Sequence, residues 1–220
     1  MNIRNRLISL FIRFAALGVI TAFLVIYVLS IAHLPTWFIR FEVEVGFVYV
    51  FVLFLEILFN AIDLRHGIKG YPAGVFMPLK LSLTIYAVLA SSLYLSLTFS
   101  TIAGEKRPEG FTYAVILLLF AIIDWLFFDE KGTVRFSMAL PYSIYPTFYM
   151  VFNIFRPIIF SNTPIYENGM EYPYAFLDPA VVPIPVTSVL VAVLVIVGAF
   201  FGAVVINNLL SGKYAKPRLN

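Results

Sequence analysis

Only a few residues in this 220-residue chain have the type and spacing to do chemistry. Arg13, Glu56, Lys80 and Asp124 stand inside long apolar runs, with Asn60 one turn from Glu56 on the same helical face. Placing an ionisable side chain in hydrocarbon costs about 2.5–3.5 kcal/mol on insertion scales, so each one needs a partner or a task. Arg13, Lys80 and Asp124 fall at similar depth in their runs, which predicts an ion pair of Asp124 with Arg13 or Lys80. Glu56 is the deepest. It reads as a neutral or hydrogen-bonded member of that network, as part of a proton or ion path, or as a contact for a polar lipid headgroup. Asp129, a turn beyond Asp124, is expected to be exposed.

The two histidines do not build a metal or hydrolase centre. His33 falls at the outer end of the first run and His66 in the loop after the second, about 30 Å apart across a membrane. A zinc site needs three or so convergent ligands. With no cysteine there is no thiolate ligand, no cysteine nucleophile and no disulfide. Neither a G-x-S-x-G elbow nor a phosphate loop occurs. No metal, cofactor or nucleic-acid partner is expected.

The elements that must position these residues are membrane helices. Hydrophobic residues are 61% of the chain and charged residues 12%, against the quarter or so that a soluble surface needs. The mean hydropathy is +0.95. The apolar residues come in runs of about 20, the length that crosses ~30 Å of hydrocarbon. This predicts one all-α integral membrane domain over residues 1–220, with six transmembrane helices and no sizeable extramembrane domain. The expected spans are 7–32, 45–62, 75–100, 111–128, 136–159 and 181–210. The first could pass for a signal peptide, but its length and the five spans behind it make it a retained helix. The breaks HLPTW, HGIKGYPAG, GEKRPEG and DEKG carry turn chemistry. Tyrosines near the expected interfaces (Tyr142, Tyr145, Tyr149, Tyr166, Tyr172, Tyr174) suit an aromatic belt or a lining for an acyl chain.

Positive charge orients the chain. With the N-terminus inside, Arg4, Arg6, Arg13, Arg65, Lys69, Lys80, Lys131, Arg135, Lys213, Lys216 and Arg218 collect on the inner side. The outer side keeps Arg40, Lys106, Arg107 and Arg156. That is the bias of the positive-inside rule, so both termini are expected in the cytoplasm of a multi-pass protein.

From the fourth span onward the chain resembles a known family. DWLFFDEKGTVRF (Asp124 to Phe136) is similar to the end of the fourth helix and the inner loop of bacterial six-helix relatives of the androgen-induced hydrolases. YPYAFLDP (Tyr172 to Pro179) looks like that family's signature before the last helix. LKLSLTIYAVLASSLYLSLTF (Leu79 to Phe99) resembles its third helix, and Tyr145, Pro146 and Arg156 its fifth. The resemblance covers about residues 45–210. It implies an outward-facing pocket between the second, fourth and fifth helices, with Tyr49, Tyr113, Tyr145, Arg156, Tyr172 and Asp178 as binding residues.

The animal members hydrolyse fatty-acid esters of hydroxy fatty acids, using a threonine and a histidine. Those positions fall here on Tyr49 and Ala114, and neither helix holds a histidine. A hydroxyl without a base stays protonated at neutral pH. The resemblance therefore implies a non-catalytic relative that binds membrane lipid or another membrane protein. One alternative is an ester hydrolase with a rebuilt site, drawing on Tyr49, Thr112 or Ser100 with His33 as base. Another is a small transporter built around Glu56. The orientation is directly testable in this cysteine-free chain. Single cysteines at Lys69 and Glu167 should react with an impermeant maleimide in intact cells only at Glu167; the reverse pattern, or labelling at both, refutes the N-inside topology.

Overall fold

The chain's computed structural model describes residues 5–34, 37–68, 72, 74–99, 108–160, 171–172, 178, 180 and 185–211. Helix α1 (Arg6–Ile31) starts behind Asn5, whose side chain accepts from the Leu7 and Ile8 amides at 3.0 and 3.2 Å. Its inward residues, from Ser9 and Arg13 through Ala16, Ile20 and Leu24 to Tyr27 and Ile31, recur at steps of three and four and form one stripe. Leu7, Phe11, Phe14 and Leu29 face outward. After a 3-10 turn (Trp37–Ile39) comes α2 (Phe41–Arg65). Gly67, with φ +69°, ends it. This left-handed residue lets the Gly67 amide reach the Leu64 carbonyl at 3.1 Å and the Ile68 amide reach that of Asp63 at 2.9 Å.

Helices α3 (Met77–Phe99), α4 (Pro108–Phe128), α5 (Ala139–Ile159) and α6 (Pro185–Leu209) follow, α5 behind a 3-10 turn at Phe136–Met138. No strand occurs among the described residues. The expected boundaries hold to within a few residues, α2 starting earlier because its first turn is packed in the interior. Ser100, Tyr166 and Tyr174 lie outside the described residues.

Five helices are long and apolar enough to cross a membrane: α1, α2 and α4 in full, Met77–Ser96 of α3 and Val189–Leu209 of α6. The chain is thus a helical bundle of multi-pass membrane character. The expected sixth span, α5, has the length, but Pro146, Pro157, its tyrosines, Asn153 and Arg156 lower its hydropathy. Those polar groups are unevenly placed. Ser143, Tyr149, Asn153 and Arg156 are buried, whereas Leu140, Ile144, Phe148, Phe155 and Ile159 are exposed. Apolar side chains point out and polar ones in, the reverse of a helix that packs against a core in water.

The packing has two parts. Helices α1 and α3 each pack on both α2 and α4, so the first four close a ring. Helices α5 and α6 pair with each other and lie against α3. Two glycines let the ring close at the end opposite the chain's N-terminus. A Cβ at Gly46 would overlap the Tyr113 hydroxyl, and one at Gly110 would overlap that of Tyr94. Forcing atoms into a filled interior costs about 1–3 kcal/mol. Gly46→Ala and Gly110→Ala should each lower the melting temperature in detergent. Gly18→Ala, where a Cβ meets nothing within 4 Å, should not. Equal melting temperatures for all three would show that the tyrosines do not occupy these notches.

Candidate functional site

The ionisable residues of the apolar runs converge on the axis of the four-helix ring, one from each helix. Arg13 (α1), Glu56 (α2), Lys80 (α3) and Asp124 (α4) are at most 5% exposed. Arg13 Nε donates to Asp124 Oδ1 at 2.7 Å, and its Nη2 lies 3.5 Å from Glu56 Oε2. Lys80 Nζ donates to Glu56 Oε2 at 2.7 Å and stands 2.5 Å from Asp124 Oδ2. Asp124 thus lies against both expected bases rather than one. Asn60 stays on its own helix, its Nδ2 donating to the Glu56 carbonyl at 2.8 Å.

Asp129 corrects the sequence reading. It is buried, and Arg13 Nη2 donates to its Oδ1 at 3.1 Å. The chain turns inward as soon as α4 ends, bringing this carboxylate under the arginine instead of into solvent. Burial pushes the Asp129 carboxyl up to about 8; Lys80 and Arg13 oppose the rise, while Asp124 and Glu56 add to it. Two turns nearer the N-terminal end of α1, Arg6 pairs with Asp63.

A second polar layer lies further along the same axis. Arg13 and Tyr27, Glu56 and Glu42, and Lys80 and Tyr94 are each separated by two heptads, about 21 Å along a helix. In this layer Arg40 Nη1 donates to the Tyr27 hydroxyl at 2.8 Å, which donates to Glu42 Oε1 at 2.9 Å. Tyr113 donates to the Glu42 carbonyl at 2.9 Å. The Tyr27 ring stacks on Tyr113 and meets Tyr94 edge-on, both at 5.6 Å between centroids. The sequence reading did not mark Tyr27 or Tyr94, and took Glu42 only as one of the acidic residues on the outer side. The two-heptad spacing of polar residues on three helices was the signal that could have found them.

The six expected binding residues take different immediate partners. Tyr49 is buried in the ring with the Lys80 ammonium 5.3 Å from its ring centroid. Tyr113 belongs to the tyrosine layer. Tyr145 donates to Glu44 at 2.5 Å. Arg156 donates to the Glu171 carbonyl. Near it, burial, Asp178 and Glu171 push the Tyr172 phenol up against the opposing pull of Arg156. Asp178 itself accepts from the Ala180 amide at 2.8 Å.

Thr112 donates to the Pro108 carbonyl of its own helix at 2.7 Å, and His33 is exposed beyond the end of α1. Lys80, whose ammonium lies beside the Tyr49 ring, donates into the carboxylate layer and has no lone pair to accept a proton.

A cavity occurs away from the expected place among the described residues. It lies between α3, α5 and α6, measures about 450 Å³ and is lined by Leu89, Leu93, Met150, Thr187, Val191, Ala192, Val195 and Ile196. It opens at the surface through Val191 and Val195, both more than half exposed. Helices α2 and α4 sit across the ring from each other. No group of three or more His, Cys, Asp or Glu residues suited to a metal ion occurs among the described residues.

Removing one member of a buried ionic network leaves its partners charged and uncompensated, at about 3–5 kcal/mol. Asp124→Ala, which strands both Arg13 and Lys80, should therefore lower thermal stability in detergent far more than Glu130→Ala, a change at an exposed neighbour. Equal losses would mean that the layer is solvated. Comparison with protein-family models, with curated proteins and with solved structures finds no match to this chain.

Proposed function

We propose that this chain is a six-span membrane protein, with both termini in the cytoplasm, that holds a lipid acyl chain between α3, α5 and α6 without hydrolysing it. The observation that carries this reading is the 450 Å³ cavity, whose lining has one polar side chain, Thr187. Its volume is within the range of about 300–1,000 Å³ of small-molecule sites. A cavity of apolar wall opening on the side of a membrane bundle faces hydrocarbon chains, and those are the molecules that fit it.

The lipid-facing character of Leu140, Ile144, Phe148, Phe155 and Ile159 supports α5 as the sixth span despite its polar interior face. The Lys and Arg asymmetry supports the orientation. The resemblance to the bacterial relatives of androgen-induced hydrolases belongs to the same proposal, and its lipid substrates suit the cavity. A non-catalytic role is supported by the Thr112 hydroxyl donating to a carbonyl of its own helix and by the Lys80 ammonium beside the Tyr49 ring, which has no lone pair to act as a base.

The protein should cross-link a photoactivatable phosphatidylcholine in liposomes, with label recovered on peptides containing Leu93 or Met150. Ala192→Trp should fill the cavity and cut that labelling severalfold without changing the melting temperature by more than a few degrees. Esters of hydroxy fatty acids should stay intact, and fluorophosphonates should not react. Labelling indifferent to Ala192→Trp would refute the lipid site, and ester turnover lost in His33→Ala would make the protein a hydrolase.

A further inference from the structure

One acidic side chain of the bundle sits on a lipid-facing stripe rather than inside the ring. Glu44 lies in the first turn of α2, a helix long and apolar enough to cross a membrane. It is half-buried, and the stripe continues through Phe47, Val48 and Phe51, which are 48%, 51% and 60% exposed. Tyr145 on α5 donates its hydroxyl to Glu44 Oε2. Tyr145 is itself 37% exposed and stands beside Ile144 and Phe148, both exposed.

Among the described residues, no lysine, arginine or histidine pairs with Glu44, and Tyr145 is its side-chain hydrogen-bond partner. Arg40, one turn earlier, turns into the ring and donates to the Tyr27 hydroxyl, which in turn donates to Glu42. An acid in the first turn of a helix complements the helix dipole. That accounts for a carboxylate at this end of α2. It does not account for one turned outward among phenylalanines, with a single phenol for its roughly four lone-pair sites.

A second observation is the aromatic ground on which the pair stands. The Tyr145 ring stacks on Phe41 at 5.8 Å between centroids and lies 5.3 Å from the Tyr86 ring. Phe41 in turn meets Tyr149 at 4.8 Å. Helices α2, α3 and α5 thus bring four rings to the side of one carboxylate. Aromatic faces attract cations, most of all organic ammonium groups. A bare divalent cation would demand several more oxygen ligands than Glu44 can supply.

We propose that Glu44 and Tyr145 form a site for a primary ammonium head group, the chemistry of phosphatidylethanolamine. The first turn of a spanning helix lies near head-group depth, where such an ammonium is held. Its N–H groups donate to the Glu44 lone pairs that Tyr145 leaves open, in charge-assisted hydrogen bonds. The acyl chains of the same lipid lie along the Phe47, Phe51, Ile144 and Phe148 surface. A choline head group carries the charge but no N–H donor, and an anionic head group is repelled. With the N-terminus inside, the lipid belongs to the outer leaflet. The site lies where α5 meets the start of α2 and does not rest on an acyl chain in the α3–α5–α6 cavity.

The test is native mass spectrometry of the full chain released from liposomes. These hold equal parts of phosphatidylethanolamine, phosphatidylcholine and phosphatidylglycerol with identical acyl chains. Phosphatidylethanolamine should be retained severalfold over the other two. Glu44→Gln keeps an acceptor for Tyr145 but loses the charge, and should abolish the preference. Glu109→Gln, at a first-turn acid of α4, should leave it unchanged. Retention should also fall stepwise through the mono- and dimethylated head groups to choline, as N–H donors are lost. That series uses the unaltered protein and so stands even if Glu44→Gln fails to fold. Retention of choline lipid as strong as that of ethanolamine lipid overturns the proposal. So does a preference for phosphatidylglycerol, or one that survives in Glu44→Gln. Ala192→Trp should cut labelling of the cavity and leave the ethanolamine preference intact, so either proposal can fail alone.

Discussion

Charge brought out of water sets the terms for the rest of this fold. In the low dielectric of a membrane bundle, Arg13 and Lys80 are tolerable only against Glu56, Asp124 and Asp129, and those contacts need all four ring helices at once. Apolar side chains alone would let helices slide or rotate, because lipid tails solvate Leu and Val as well as a protein interior does. A helix that slipped by one turn would strand a charge. The layer therefore acts as a register pin for α1 to α4, in the way that a polar residue in a coiled-coil seam sets register at some expense of stability.

The second pin, two heptads away, works by fit as much as by charge. Arg40, Tyr27 and Glu42 form a hydrogen-bonded chain, and the rings of Tyr94 and Tyr113 close around Tyr27. These large side chains fit because Gly46 and Gly110 present bare backbone to two of the hydroxyls. Between the layers the stripe is filled by Ala16, Ile20, Leu24, Ala87, Ala90, Leu117 and Ala121. Small residues there allow the helices to approach closely, as membrane packing demands.

The ring and the α5–α6 pair have different physical jobs. The ring is held at two levels and leaves little free space. The pair meets α3 on one side, and the apolar cavity opens along that seam. Its wall is aliphatic, so nothing there fixes a partner by hydrogen bonds, and selectivity would come from shape and length. Rigid pinning on one side and an apolar seam on the other allow the protein to accept a flexible chain without disturbing its buried charges.

Length, hydropathy and turn residues determined the helical class, the approximate helix limits and the membrane character, because a ~30 Å hydrocarbon slab imposes a run length that any window of sequence displays. The pairing of Asp124 with Arg13 and Lys80 was legible for a similar reason: lone charges in such runs must find each other. What the linear pattern did not contain was azimuth and loop geometry. Asp129 looks exposed beside DEKG, yet the turn after α4 folds it under Arg13. Tyr27 and Tyr94 carry no mark in the linear pattern, yet their positions on the ring-facing stripes bury them. The cavity could not be read at all. Its location depends on which helices are neighbours, and hydrophobic periodicity specifies that a face is buried without specifying against what. Only the closing of α1 to α4 into a ring, with α2 across from α4, moved the open seam to α3, α5 and α6.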